Sequence, residues 1–406
     1  MSKKIRIAFI KFGGLSAGGT EKFLQNIAVN LPVDKFSVDY FYCNSAPYIG
    51  SDYTHADTDQ NRKKYMEDHG VNLIKFDVKA KDINTYTHDW IGTNFWEFFD
   101  ESKYDIIQTG RAGHPEYPFS KIKKTPIVDS IHTLGGVDNR YNISRVMHIT
   151  KWSANQWIGM GGDKERIVYV SHPMEIQSHE GNIRDKLKLE GIFVLGFHQR
   201  DSDEIFSNIP LDAYKNIESE KTFFLIMGGS KLYSEQAEKL KLKNFKQLSH
   251  SAKPQDIYDF LQTLNVYAHG RKDGELNSTA MAEAMYFGLP IVSHSSSYAN
   301  GHIECIGEGG RVLDKTEDYA TELKKLMENR EYYKFRSSEA KKRFGEMYEL
   351  KNQISKIVDI YKDVIQNPFP NKFRRLYFDL VNRIKKMLYN RYTLLTYRKL
   401  KKILKK

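Results

Sequence analysis

The sequence predicts an α/β fold. It reads as two Rossmann-like domains facing across a cleft, plus a basic amphipathic helical C-terminal tail. Three observations carry this reading. β-type runs alternate with helical runs from residue 4 onward, the alternation starts afresh near residue 192, and the positive charge is concentrated beyond residue 370. The chain has 406 residues, enough for two ordinary cores. A hydrophobic fraction of 40% against 28% charged residues places it among folding chains rather than disordered ones.

Taken in order, Lys4–Ile10 is a compact β-type run that meets a glycine-rich turn, Gly13-Gly14-Leu15-Ser16-Ala17-Gly18-Gly19-Thr20. Glu21–Leu31 follows with Phe23, Ile27 and Leu31 at helical spacing, and Pro32 ends it. Phe36–Cys43 is a second strand. Residues 44–66, with Asn, Ser, Pro, Gly and Asp at short intervals, read as a long loop or insertion. Asn72–Phe76 is a strand and Thr93–Phe99 belongs to a helix. Asp105–Gln108, Pro126–Ile131 and Ile167–Val170 are further strands.

The second half repeats the pattern. Ile192–Gly196 and Phe223–Met227 are strands, the latter running into Gly228-Gly229, with Leu211–Ile217 helical between them. Ile257–Leu264 is a helix, Asn265–Ala268 a strand, Thr279–Phe287 a helix stopped at Gly288-Leu289-Pro290, and Ile291–Ser293 a strand. Residues 317–366 are mostly helical. The domains expected are 1–175 and 176–350, with a helix over 351–370 crossing back to the first domain and a tail over 371–406. In sheets of this kind ligands sit beyond the carboxyl ends of the strands.

The most informative stretch runs from Asn265 to Ser293: a strand, a loop bearing Glu275, caps at Asn277-Ser278, a helix bearing Glu283, then Ala284-Met285 and the glycine–proline stop. Free amides at a helix N-terminus suit a diphosphate, and carboxylates accept strongly from sugar and ribose hydroxyls. Two glutamates eight apart occur in many solvated helices, but the string around them is specific. It resembles the E-x7-E segment of retaining glycosyltransferases of family 4, which have the GT-B fold. Gly18-Gly19-Thr20-Glu21 is similar to that family's N-terminal glycine loop. His132 resembles its active-site histidine, Gly196…Arg200 its strand-to-loop basic site, and Met227-Gly228-Gly229 its next strand and turn. The resemblance covers residues 4–366.

That resemblance implies glycosyl transfer from a nucleotide-sugar donor to a glycan or lipid-linked acceptor, with retention and without a metal or other cofactor. Glu275, His132 and Arg200 would serve catalysis. Gly18, Gly19, Arg200, Asn277, Ser278 and Glu283 would bind the donor. Arg111 and His114, after a strand end, are acceptor-side candidates or ordinary loop polarity. The sequence departs from the family at one point: no lysine follows Arg200, and Asp201, Asp203 and Glu204 stand there instead. A non-catalytic homologue acting as a binding or scaffold module is therefore an alternative. Asp57-Thr58-Asp59 and Asp201-Ser202-Asp203 each spell D-x-D, a metal-diphosphate pattern of the other glycosyltransferase architecture, but in polar loops such pairs recur by chance. A sugar-nucleotide epimerase would share the two-domain architecture without the Glu275–Pro290 string.

The net charge of +11 has a definite location. Residues 371–406 hold 13 Lys/Arg against the single acidic Asp379, while the rest of the chain holds 49 basic and 50 acidic residues. Asn367-Pro368-Phe369-Pro370 breaks the preceding helix. Beyond it Phe373, Leu376, Tyr377, Leu380, Val381, Ile384, Met387 and Leu388 fall at helical steps among the bases. This reads as a cationic amphipathic segment for an anionic membrane surface. The competing readings are a helix packed on the body with a solvated basic face, and a grip for nucleic acid in a nucleic-acid glycosyltransferase. The first ten residues do not read as a signal peptide, and Cys43 and Cys305 form no disulfide framework. The expected location is the cytoplasm, peripheral on the cytosolic face of a membrane.

Overall fold

The computed structural model describes residues 3–16, 19–43, 58–77, 93–111, 121–134, 136–251, 253–381 and 383–384. The chain divides into two compact units. The first comprises Met1–His148, Ser153–Val170 and Ile354–Lys406, and the second Ile149–Trp152 and Ser171–Gln353. Each unit is a parallel sheet with helices.

In the first unit β1 (Ile5–Ile10), β2 (Phe36–Cys43), β3 (Asn72–Phe76), β4 (Ile106–Arg111), β5 (Ile127–Ile131), β6 (Ile143–His148) and β7 (Ile167–Tyr169) form one sheet in the order β3-β2-β1-β4-β5-β6-β7. All pairings are parallel, with Ile7 of β1 opposite Val38 on one side and Ile106 on the other. Such strands are covered on both faces, so β1, β5 and β6 read as near-continuous buried runs. Part of the core is aromatic: Phe95 and Phe99 stack at 4.9 Å, and Phe41 meets both edge-on at 5.5 Å.

The helix Leu350–Gln366 closes this unit although it lies far away in sequence. It buries Ile357, Tyr361 and Val364 completely. Each such side chain contributes about 1.5–3 kcal/mol relative to exposure. The Tyr361 hydroxyl donates to Gln108 Oε1 at 2.9 Å, which satisfies a buried polar group on β4.

The second unit has β8 (Phe193–Gln199), β9 (Thr222–Gly228), β10 (Phe245–Leu248), β11 (Val266–Ala268), β13 (Ile291–Ser293) and β15 (Gly310–Val312), in the order β10-β9-β8-β11-β13-β15. A two-stranded pair, β12 (Gly274–Glu275) with β14 (Ala299–Asn300), sits apart from it. The order outward from β8 and then across it is that of a dinucleotide-binding sheet, with the switch point between β8 and β11. Gly196 lies there. A Cβ on it would come within 1.8 Å of the Leu225 carbonyl oxygen, so the close approach of β8 to β9 requires glycine.

Several expectations need correction. Strands β6 and β10 carry buried or half-buried polar residues and no clean period, and β15 is only three residues long with Arg311 exposed, so they do not stand out in the sequence. Residues 60–66 are not loop: Gln60–Asp68 is a helix, and Asp59 caps it by accepting from the amides of Asn61 and Arg62. That gives one of the D-x-D aspartates a local structural role. Asp57, with the rest of 44–57, lies outside the described residues. Asp203 of the second D-x-D accepts from Ser230 Oγ. Among the described residues no helix is long and apolar enough to cross a membrane.

Candidate donor site

The second unit brings Glu275 and Glu283 to the carboxyl end of its sheet. β11 ends at Ala268, and the chain then turns through His269 and Gly270 into β12. Gly274 has φ +64°, and a Cβ there would lie 1.8 Å from the Ala299 carbonyl oxygen. Only glycine allows β12 to run this close to β14, and that places Glu275. Ser278 then opens the helix Thr279–Tyr286 by accepting from the Met281 amide at 3.2 Å. Amides in the first turn of such a helix have no intrahelical partner.

Glu275 is held through one oxygen. Arg271 Nη1 donates to its Oε1 at 3.2 Å, Ser278 Oγ donates to the same atom at 3.2 Å, and His269 Nε2 lies 3.8 Å away. Arg271 is itself clamped by Asp273, at 2.8 and 2.7 Å. Burial disfavours the charged form of Glu275, but His269, Arg271 and Ser278 outweigh it and hold the carboxyl below the usual carboxylate range. Burial pushes the His269 imidazole down to about 4, so it is neutral at physiological pH. Burial also opposes charge on Arg271, and its pairing with Asp273 and Glu275 overcomes this.

Glu283 faces β8. Its Oε2 pairs with His198 Nε2 at 3.0 Å, and the buried Tyr267 hydroxyl donates to the His198 carbonyl at 3.0 Å. Each glutamate is thus fixed through one carboxylate oxygen, and among the described residues no hydrogen bond or ion pair reaches the other. Carboxylates held this way are rigid acceptors for hydroxyl groups. Asn277 adds both donor and acceptor: its side-chain atoms are buried and have no hydrogen-bond partner among the described residues. The strand ends are tied together behind this group. The Gly229 amide donates to the Gln199 carbonyl at 2.8 Å, and the Tyr233 hydroxyl donates to Gln199 Oε1 and the Gly270 carbonyl, both at 3.2 Å.

The remaining sequence candidates fall as follows. Arg200 ends up exposed on the turn after β8, with no ion pair among the described residues. His132 belongs to the first unit. It follows β5, its Nε2 lies 3.0 Å from Ser130 Oγ, and its ring meets Phe23 edge-on at 4.6 Å. Gly19 is the first residue of the helix Gly19–Asn30. Gly18 and His114 lie outside the described residues, as does the side chain of Arg111, whose backbone ends β4. Sequence reasoning missed Arg271 as the partner of Glu275, although its position four residues earlier was a visible signal. His198 as the partner of Glu283 could not be read, because the two are 85 residues apart.

Residues 186–343, the body of the second unit, match the family model for glycosyl transferases group 1. The second unit carries a group 1 glycosyl transferase domain. No curated protein matches the chain at significant sequence similarity. Solved structures do match across both units, and they share the GT-B fold. Anabaena Alr3699/HepE, solved in complex with UDP and glucose, is 18% identical over 88% of this chain and 100% of its own, with a TM-score of 0.64. A glycosyltransferase from Rickettsia africae is 13% identical over 90% and 99%, TM-score 0.65. Sucrose-phosphate synthase from Thermosynechococcus elongatus is 12% identical over 89% and 100%, TM-score 0.65. At these identities the likeness concerns the fold. Within the group 1 domain, Glu275, Asn277, Ser278 and Glu283 all lie in the matched span.

Proposed function

We propose that this glycosyl transferase moves a sugar from a nucleotide-sugar donor to a glycan or lipid-linked acceptor, with retention of configuration and without a metal. The observation that carries the donor part is the pair of glutamates, each fixed through one oxygen with the other open, beside the capped helix Thr279–Tyr286. Glu283 accepts from ribose hydroxyls and Glu275 from the donor sugar. The amides at Ser278 and beyond, Asn277 and Arg200 receive the diphosphate, whose developing charge is stabilised by fixed dipoles. His132 serves the acceptor side. Alr3699/HepE was solved with UDP and with UDP-glucose, which makes a uridine diphosphate sugar the first donor to try. The protein acts in the cytoplasm, and the basic segment 371–406 holds it peripherally on an anionic membrane face.

The test is a thermal-shift panel of UDP, GDP, ADP and CMP with their sugar conjugates, on the wild type and on Glu283→Ala. A ligand at ~100 times its dissociation constant adds about 2.7 kcal/mol of stability. One nucleotide family should raise the melting temperature, and the variant should lose the effect. No shift with any nucleotide would refute the donor site. Arg200 stands exposed with no lysine following it, which favours a second reading as a non-catalytic binding module. Donor binding without turnover would select that reading.

A further inference from the structure

Residues 372–381 and 383–384 are helical and belong to the first unit. The way this helix is attached reverses the usual arrangement. Its charged side faces the body. Arg375 is 2% exposed and donates to the carbonyls of Tyr141, at 2.7 Å, Ile143 and Ser144. Its guanidinium lies 5.7 Å from the Tyr141 ring and 5.5 Å from the Phe369 ring. Asp379, 7% exposed, accepts from the Tyr141 amide at 3.2 Å, and Arg374 pairs with Asp163 at 2.8 Å. These bonds terminate the β5–β6 connection and the start of β6, so the helix is mounted on the sheet.

Its apolar side faces outward. Phe373 is 91% exposed, Tyr377 63%, Leu380 57%, Leu376 54% and Ile384 41%. At 3.6 residues per turn these five side chains fall within roughly 100° of arc, opposite Arg375 and Asp379. An amphipathic helix that packs for stability buries its apolar stripe. This one buries two ionic side chains and, among the described residues, leaves the stripe exposed, a face suited to an external apolar partner.

We propose that this stripe is a lipid-insertion face, and that the enzyme binds its membrane by seating Phe373, Leu376, Tyr377, Leu380 and Ile384 below the headgroups rather than by charge alone. This deepens the membrane reading above and rests on it. Charge complementarity selects lipid over a second copy of the chain. Residues 371–406 carry 13 basic side chains, and the one acidic residue among them, Asp379, is already engaged by Tyr141 and by Arg383 at 2.8 Å. Two such segments brought together repel, whereas an anionic surface attracts both the bases and, through its hydrocarbon, the stripe. Aromatic side chains at the edge of such a stripe suit the interfacial layer.

The experiment is sedimentation of the full chain with vesicles of phosphatidylcholine containing about one-third phosphatidylglycerol, at low salt and at about 0.5 M NaCl. It compares wild type, the combined variant Phe373→Ser, Leu376→Ser, Leu380→Ser, and Lys401→Gln with Lys402→Gln. The serine variant keeps every base, and its melting temperature and its response to nucleotide report that the units are intact. The inference expects wild-type binding to persist in part at high salt and the serine variant to bind at least ten-fold more weakly at both. Equal binding of wild type and serine variant, abolished by salt, would overturn insertion while leaving the membrane reading standing. Failure of the wild type to bind vesicles at all would overturn both. A lipid-free dimer that the serine variant breaks would assign the stripe to self-association instead.

Discussion

At the scale of single residues, Arg271 decides the state of Glu275. The folded carboxyl sits below its ordinary value, so its contribution to stability is full above the unfolded pKa of ~4.3 and is lost as pH falls through the lower folded value. Arg271→Ala removes a guanidinium that lowers that pKa, so the folded value moves back toward the unfolded one and the variant should lose less stability on acidification than the wild type. The variant should be less stable by about 1–3 kcal/mol near neutral pH, and the gap should narrow once the carboxyl is protonated. Denaturant unfolding from about pH 3 to 7 measures both; a gap independent of pH would show that Arg271 acts by packing alone. The glutamates themselves were legible because the string from Asn265 to Ser293 is local. Their partners divide by distance: Arg271 is four residues from Glu275, while His198 reaches Glu283 only through the folded sheet. Arg200 was legible as a basic residue at a strand end, and nothing in its spacing foretold an exposed side chain.

At the scale of elements, the strand–loop–helix unit from β11 to Tyr286 depends on backbone more than on side chains. Gly274→Ala places a Cβ against the Ala299 carbonyl at a positive φ, and it should cost about 2–4 kcal/mol, read from the shift in the denaturant midpoint. Ser278→Ala removes the cap and one of the bonds to Glu275. Its expected cost is about 1 kcal/mol, with a larger loss in nucleotide response than that cost alone explains. Strands such as β1 and β8 announce themselves because both faces are largely buried and the run is mostly apolar. β6 is equally buried, yet reads Ile-Ser-Arg-Val-Met-His, because Ser144, Arg145 and His148 are satisfied by partners distant in sequence or by the following helix. The first part of the basic tail, over 372–384, was legible as amphipathic. Which side would face the body was not, since a sequence cannot show that Arg374, Arg375 and Asp379 meet Tyr141, Ser144 and Asp163.

At the scale of the molecule, each unit has its own apolar core and each core holds one cysteine, Cys43 in the first and Cys305 in the second. Both thiols are buried, and burial pushes each up to about 12. Native protein should therefore react with neither at pH ~8, while denatured protein exposes both. Saturating nucleotide should suppress labelling of Cys305 by up to ~100-fold at 100 times its dissociation constant. Cys43 should be spared that protection to the extent that the first unit opens independently, which mass spectrometry of the two labelled peptides measures. The alternation of strands and helices made the two parallel sheets legible. The strand order did not show in the sequence, because it depends on which crossovers the sheet accepts and not on any local signal.

The route of the chain has a consequence for how the protein is made. The sheet of the first unit is complete by Tyr169, but the helix Leu350–Gln366 and Arg375 that cover and tie it are translated only after the whole of Ser171–Gln353. At roughly 5–20 residues per second, the apolar face that Tyr361 and Ile357 will cover waits on the order of ten to forty seconds outside the ribosome. The unit that is begun first is finished last. A nascent chain paused near residue 350 would hold a foldable second unit and a first unit with an open flank, and it is in that interval that a chaperone has a surface to hold.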